Sequence, residues 1–137
     1  MITTKGRYAL RMMIALAEQE REEYVSLKRL ASSQSISEGY LARIMSELSS
    51  AGLVEAVQGK GGGYRLSRLP AEYSVEEILR ASGEELAPAA CVRKEAESCS
   101  RQTHCPAFPV WDRLDGLIRE FLEGVSLQDL IPAEKSG

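Results

Sequence analysis

The sequence lacks several features that would place the chain in a membrane or in a common class of enzyme. No apolar run approaches the roughly 20 residues that span a bilayer, and the first residues do not form a secretory signal. The chain has one histidine, and its glycine-rich run lacks the Gly-Lys-Ser/Thr ending of a phosphate-binding loop. We therefore expect a cytoplasmic protein that neither enters a membrane nor acts as an enzyme.

The charge balance divides the chain into two unlike halves. The 137 residues leave room for about one domain. Residues 1–68 carry a net charge of +3, whereas residues 69–137 carry −6. The first half is therefore suited to nucleic-acid phosphates, and the second half is built for another task.

Residues 35–66 predict the central element of the fold. Apolar residues recur at helical spacing from Tyr40 onward, directly after Ser37, which is a good helix N-cap. Gly52 is placed to end this helix, and Ser26 predicts the start of a shorter helix before it. The two helices and the serine-rich turn between them predict a helix-turn-helix, whose second helix enters the major groove of DNA.

A glycine-rich hairpin is predicted directly after this motif. Residues 53–58 and 64–67 have the composition of short strands, and four of the five residues between 59 and 63 are glycine. Such a tip can lie close against another surface, and it carries Lys60. The hairpin predicts the wing of a winged helix-turn-helix, in a chain that is otherwise mainly α.

The predicted DNA contacts lie on three elements. Thr4 is placed to cap a first helix, whose start carries basic residues that a helix N-terminus can bring to phosphate. Arginine and lysine make most phosphate contacts, and arginine can bind guanine through two hydrogen bonds. A winged helix that contacts protein is the alternative to DNA binding. The candidate DNA-binding residues are Lys5, Arg7, Ser37, Glu38, Tyr40, Arg43, Lys60, Gly61 and Gly62.

Three cysteines lie within fifteen residues, in a long stretch with little periodicity. Cys91, Cys99 and Cys105 do not have the paired Cys-x-x-Cys spacing of a zinc ribbon. An odd number of cysteines is also poor material for a disulfide framework. Thiolates suit iron–sulfur clusters, zinc or Cu(I), while a thiol redox switch and inert structural cysteines are the alternatives.

The last predicted helix has a wide apolar stripe over residues 110–125. The stripe must be buried, and a second copy of the chain is the expected partner because winged-helix regulators usually bind two half-sites as two-fold dimers. Folding back onto its own domain is the alternative. The candidate dimerisation residues are Trp111, Leu114, Leu117, Ile118, Phe121 and Leu122.

Several of these motifs together resemble a known family. The segments KGRYAL, VSLKRLA and AGLVEAVQGKGGGYRLSR, the cysteine stretch, and PVWDRL with FLEGVSLQDLI are similar to the IscR/NsrR-type bacterial regulators, in order over nearly the whole chain. The resemblance implies a homodimeric winged-helix DNA binder. It also implies that Cys91, Cys99 and Cys105 hold a [2Fe–2S] or [4Fe–4S] cluster that senses cluster supply, redox state or nitric oxide.

Two positions depart from the pattern of this family. Members with an all-loop ligand set carry a histidine where this chain has Phe108, so the fourth cluster ligand is open between His104 and a weak or exogenous donor. The familiar Tyr-Leu-Glu-Gln of the recognition helix is replaced here, with Ala42 in place of the carboxylate. The operator sequence is therefore open as well.

The expected organisation has three parts. Residues 1–83 form the DNA-binding domain, residues 84–106 the cysteine segment, and residues 107–137 the dimerisation helix with a C-terminal turn. Double-stranded DNA and a second copy are the expected partners, with RNA polymerase as a further candidate. A regulator of the same fold that responds to a small metabolite or a protein, with no cluster, is the alternative.

Overall fold

The computed structural model describes residues 2–20, 22–89, 92 and 105–132. Over these residues the order of elements is three helices, a two-stranded hairpin and two further helices. Two short 3-10 turns lie at Pro70–Glu72 and Gln128–Leu130. No helix within the described ranges is long and apolar enough to cross a membrane. The elements are α1 (Thr4–Ala17), α2 (Leu27–Gln34), α3 (Glu38–Ser50), β1 (Val54–Val57), β2 (Gly63–Leu66), α4 (Val75–Ala81) and α5 (Phe108–Glu123).

Serine and threonine side chains cap the starts of the first four helices, α1 to α4. Ser26, Ser37 and Ser74 each accept a hydrogen bond from a backbone N–H of the first turn, at 3.1, 3.2 and 3.1 Å. The caps at Ser26 and Ser37 confirm the predictions, because an N-cap depends only on neighbouring residues. The predicted cap of α1 was one residue off, since Thr3 rather than Thr4 accepts from the N–H of Gly6.

Residues in the left-handed region end α2, α3 and α4, the last at Gly83 with a φ of 87°. Gly52 after α3 has a φ of 78°, as predicted. The turn between α2 and α3 instead uses Ser35, with a φ of 56°. A non-glycine residue rarely adopts this conformation, and here it redirects the chain from α2 into the recognition helix α3.

The hairpin is antiparallel, with Val54 opposite Leu66 and Val57 opposite Gly63. A third chain segment joins it through one residue, because Val25 and Tyr64 exchange backbone hydrogen bonds of 2.8 and 2.9 Å. A Cβ atom at Gly63 would lie 2.3 Å from the carbonyl oxygen of Val25, so glycine is required for this close approach. The wing is therefore tied at its base to the segment before α2.

The core lies between α1, α3, α4 and the hairpin. On α3 it holds Leu41, Ile44, Met45 and Leu48, all with no exposed surface. Leu127, from the segment after α5, belongs to the same core, and its N–H donates to the carbonyl of Tyr73 at 3.1 Å. The predicted mainly α, winged helix-turn-helix architecture with a long C-terminal helix is confirmed, whereas the division into three parts stays a prediction.

Candidate nucleic-acid interface and cysteine segment

The outer face of α3 carries the predicted base contacts. Glu38 and Arg43 are exposed, on the side opposite the fully buried apolar residues of this helix. Amphipathic periodicity explains this arrangement, since the core fixes which side of the helix meets solvent. The two side chains present one acceptor and one donor group to a bound molecule, as a helix in the major groove requires.

Two other candidates on α3 also have structural roles. The Ser37 hydroxyl is engaged as the N-cap of α3. The Tyr40 ring is half-buried and meets the Tyr8 ring edge to face, with centroids 6.0 Å apart. Arg11 stacks on the Tyr8 ring, with its guanidinium carbon 5.1 Å from the ring centroid. Arg11 lies one turn beyond Arg7 and is one of the basic residues that the sequence places near the start of α1.

The basic residues at the start of α1 are partly engaged within the chain. Lys5 Nζ lies 3.0 Å from Glu47 Oε1 on α3. Arg7 is exposed and donates to the Thr4 hydroxyl at 3.1 Å. Their role as phosphate contacts stays a prediction. The structure shows that Lys5 also links α1 to the recognition helix.

The wing presents one lysine at its tip. Lys60 is exposed, and no carboxylate within the described residues pairs with it. Its neighbours Gly59 and Gly61 have φ values of 95° and 79°. A Cβ atom at Gly62 would lie 2.2 Å from the carbonyl oxygen of Val57. Glycine is therefore needed to make this turn, and the turn leaves the lysine projecting from it.

The other basic residue of the wing is held within the protein. Arg65 Nε donates to Glu55 Oε2 at 2.7 Å, and its guanidinium carbon lies 4.5 Å from the centroid of the Tyr24 ring. The hydrogen bond from Arg65 to Glu55 raises the pKa of Arg65. Of the two wing cations, Lys60 is therefore the one available to a phosphate.

Tyr73 fastens the end of the wing to α4. Its buried hydroxyl donates to the carbonyl of Leu53 at 2.7 Å and accepts from the N–H groups of Ser67 and Arg68, both at 2.9 Å. Burial raises the pKa of Tyr73, against the lowering effect of the two N–H donors. Nothing local in the sequence marks this residue, because its partners lie up to 20 positions away.

An ion pair supports the same junction. Arg68 donates to both carboxylate oxygens of Glu77 on α4, at 3.2 and 2.9 Å, and its guanidinium carbon lies 4.5 Å from the centroid of the Tyr73 ring. The hydrogen bond from Arg68 to Glu77 raises the pKa of Arg68. The chain leaving the wing is therefore fixed to α4 by both backbone and side-chain contacts.

The cysteine segment is described only at its ends. Cys105 is exposed and forms no disulfide, and its carbonyl accepts from the N–H of Phe108 at 3.2 Å, at the start of α5. Cys91, Cys99 and His104 lie outside the described residues. Within the described part of the chain, no three His, Cys, Asp or Glu side chains come together as a metal site.

A polar cavity of about 360 Å³ adjoins the start of this segment. Residues 83–87 line it together with Arg80 of α4 and Arg119 of α5. Arg119 Nε lies 3.2 Å from Asp115 Oδ2, and the buried Oδ1 of Asp115 accepts no hydrogen bond from any residue that the structure describes. The cysteine segment thus leaves α4 beside a charged surface between α4 and α5.

The predicted dimerisation residues fall into two groups. Ile118 and Leu122 are half-buried, on the side of α5 that packs on α4. The other four are exposed, and Phe121 keeps 69% of its surface in solvent. These four are Trp111, Leu114, Leu117 and Phe121.

The fold and the site together define a winged helix-turn-helix DNA-binding protein. The chain belongs to the Rrf2 family, described as iron-dependent transcriptional regulators, whose sequence pattern matches residues 2–133. Like its relatives it is a transcription regulator that binds DNA, and the prediction that it is not an enzyme is confirmed by this membership.

Relatives and solved structures agree with this assignment. The transcriptional regulator IscR of Aliivibrio salmonicida is 38% identical over 130 residues, which cover 95% of this chain and 76% of that protein. The solved structure of CymR, the global cysteine regulator of B. subtilis, has a TM-score of 0.75 at 34% identity, with 95% of each chain covered. T. potens IscR has a TM-score of 0.71 at 32% identity, covering 95% of this chain and 85% of that one.

Proposed function

We propose that the chain is a homodimeric transcription regulator whose DNA affinity or site choice is set by an iron–sulfur cluster bound to Cys91, Cys99 and Cys105. The observation that carries the proposal is the position of Cys105. It is exposed and unpaired at the start of α5, and α5 packs on α4, which precedes the cysteine segment. A ligand held by this segment is therefore attached at both ends to the body of the DNA-binding fold.

The donor set suits such a cluster. Three thiolates are the ligands that iron–sulfur clusters prefer, and the family to which the chain belongs is described as iron-dependent. Bound there, the cluster would supply a group that reacts with electrons, oxygen and nitric oxide. The protein's own contribution that the structure describes is the thiol of Cys105, held at the start of α5 and open to solvent.

The fourth ligand belongs to the same proposal. Phe108 is the first residue of α5 and has no donor atom. We assign the position to His104 or to a weak or exogenous ligand, such as water or a small thiol. An exchangeable ligand would leave the cluster open to attack, which suits a sensor of cluster supply, redox state or nitric oxide.

The exposed apolar face of α5 supports the dimer. Val110, Leu114 and Leu117 line a groove of about 500 Å³ along this helix. A second copy, related by a two-fold axis, would cover the face and place two recognition helices on one duplex. RNA polymerase is a further proposed partner of the regulator once it is on a promoter.

A second candidate function rests on the likeness to CymR. That protein is a global cysteine regulator, and its structure covers 95% of this chain. A regulator of this kind would respond to a small metabolite, a partner protein or the oxidation of thiols, with no cluster. The same three cysteines would then be free thiols in the purified protein.

The absorbance spectrum of protein purified without oxygen separates the two functions. We expect a coloured protein with iron and sulfide, and a Cys99→Ala variant that has lost both. His104→Ala tests the fourth ligand, and an unchanged spectrum would show that His104 is not a ligand. A colourless parent with three titratable thiols would refute the cluster and favour the second function.

DNA binding is tested separately, by selection of duplexes from a random pool. We expect enrichment of a two-fold-related site, since two recognition helices bind two half-sites. Selection with and without the cluster shows whether affinity or site choice changes. The same enriched site and equal affinity in both states would refute control by the cluster.

A further inference from the structure

Glu84 is the first residue of the cysteine segment, and its backbone is fixed to α4. The N–H of Gly83 donates to the carbonyl of Arg80 at 3.0 Å, and the N–H of Glu84 donates to that of Leu79 at 3.1 Å. This pair of bonds, with Gly83 at a φ of 87°, is the Schellman ending of a helix. The segment therefore starts from a rigid point.

The side chain of Glu84 is fixed to a different helix. Its Oε2 accepts from the N–H of Thr3 at 2.7 Å, and its Oε1 accepts from the Thr3 hydroxyl. Thr3 is the N-cap of α1. A carboxylate at this end of a helix is stabilised by the unpaired N–H groups and by the helix dipole.

Gly6 makes room for this contact. A Cβ atom at position 6 would lie 2.6 Å from Cγ of Glu84 and 2.8 Å from its Oε1. Gly6 lies in the first turns of α1, where alanine would be the better helix former. The glycine therefore weakens the helix by itself but lets the Glu84 side chain lie against it.

Lys5, the residue before Gly6 on α1, contacts the recognition helix. Lys5 Nζ lies 3.0 Å from Glu47 Oε1. The other oxygen of this carboxylate, Oε2, is buried and accepts no hydrogen bond from the residues that the structure describes. Among the described residues, Lys5 is thus the ion-pair partner of the Glu47 carboxylate. A shift of the α1 N-terminus must change the surroundings of α3.

We propose that Glu84 is a positioning residue that transmits the state of the cysteine segment to the recognition helix, through the N-terminus of α1 and the Lys5–Glu47 pair. The inference rests on the proposed control of DNA binding by this segment, and it assigns the route. When the segment rearranges, the Glu84 side chain releases Thr3 while its backbone stays on α4, the first turn of α1 is freed, and Lys5 no longer holds Glu47 in place.

The Lys5–Glu47 pair is weak enough to break without unfolding the domain. Both side chains of the Lys5–Glu47 pair are about two-fifths exposed, at 36% and 41%, and exposed pairs contribute little to stability. Breaking the route therefore changes the position of α3 without unfolding the domain. Couplings between sites usually change affinity by about 5-fold or more, and we expect a value near that lower limit.

The test is a double-mutant cycle on cluster-free, reduced, full-length protein, with affinity measured for the selected duplex. Glu84→Ala should weaken binding about 5-fold, and it should have no further effect in a Glu47→Gln background. Glu84→Gln, which keeps an acceptor for Thr3, should restore part of the loss. Glu72→Ala removes an exposed carboxylate of the same charge elsewhere and serves as the control.

A second measurement perturbs the cysteine segment itself. Blocking the three thiols with a maleimide should change DNA affinity in the parent and have much less effect in Glu84→Ala. Equal effects in both would overturn the route while leaving control by the segment intact. The route would also be overturned if the effects of Glu84→Ala and Glu47→Gln on DNA affinity were additive. The same holds if thiol blocking left the DNA affinity of the parent unchanged. The spectrum of the anaerobic protein decides the cluster independently.

Gly6→Ala gives a variant with no change of charge. If Gly6 serves only the helix, alanine should raise stability and leave DNA affinity alone. The proposed route predicts the loss of affinity seen in Glu84→Ala, because a methyl group at position 6 displaces the Glu84 side chain. Full affinity in Gly6→Ala would contradict it.

Discussion

Replacing Lys60 by glutamine should make DNA binding less dependent on salt. It should leave the fold and stability of the free protein unchanged. The lysine is exposed at the wing tip, and no carboxylate within the described residues neutralises it. Each phosphate that a cation neutralises contributes about −0.9 to the slope of log affinity against log salt. Because a dimer has two wings, the slope should become less steep by about 1.8.

This slope can be converted into a ratio of affinities. Between about 50 and 200 mM salt, a difference of about 1.8 in slope corresponds to roughly a 12-fold difference. The parent should therefore lose about 12-fold more affinity than Lys60→Gln over that range. Fluorescence anisotropy with a labelled duplex at four or five salt concentrations gives the slope directly.

The matched control keeps the charge. Lys60→Arg should retain the slope of the parent, and both variants should unfold at the same urea concentration as the parent because the side chain is exposed at the wing tip. A slope in Lys60→Gln equal to that of the parent would refute the placement of the wing on the DNA backbone. A decrease of about 0.9 would mean that only one wing is in contact.

Three further changes test the recognition helix, the α5 face and the wing junction. Arg43→Ala should cost about 1–3 kcal/mol in DNA affinity and relax the preference at one base position, as repeated duplex selection would show. Glutamate at both Leu117 and Phe121 should give a monomer or unfolded chain in sedimentation, because charges in an apolar interface are costly, whereas an unchanged dimer would place the interface elsewhere. Tyr73→Phe should lower the free energy of unfolding by about 2–4 kcal/mol, since three backbone groups, among them the carbonyl of Leu53, lose their partner. Burial raises the pKa of Tyr73 above 10.0, so the folded chain keeps its proton where the unfolded chain loses it. Parent stability should then fall as the pH rises from about 10 through the raised pKa, and urea titrations should show this step missing in the variant.

The parts of the fold that the sequence predicted depend on neighbouring residues. The caps at Ser26 and Ser37 and the glycine after α3 need only a few consecutive side chains. The hairpin follows from the glycine run for the same reason. The periodicity of α5 marked the apolar residues, but it could not separate those packed on α4 from those left exposed, such as Phe121.

The contacts that the sequence did not predict join distant positions. Thr3 and Glu84 are 81 residues apart, and Lys5 and Glu47 are 42 apart. Tyr73 reaches Leu53 across the wing. Periodicity and capping rules carry no information at these distances, because any exposed carboxylate could have met Thr3. The candidate DNA contacts could be predicted from the sequence. Each lies on an element whose outward face follows from the pattern of neighbouring residues.

The recognition helix is held by two kinds of contact that differ greatly in strength. Its inner face is fully buried at Leu41, Ile44 and Leu48, and burial of each such side chain stabilises by about 1.5–3 kcal/mol. The ion pair from Glu47 to α1 is worth about 0.2–1 kcal/mol, because both partners are partly exposed. A signal that reaches α1 can therefore break the second kind of contact and leave the first intact. Under such a signal the buried face keeps the helix in the core, while a small shift of the whole helix changes how its outer face meets the DNA. The strong core contacts keep the domain folded, and the weak ion pair allows DNA affinity to change by a few fold.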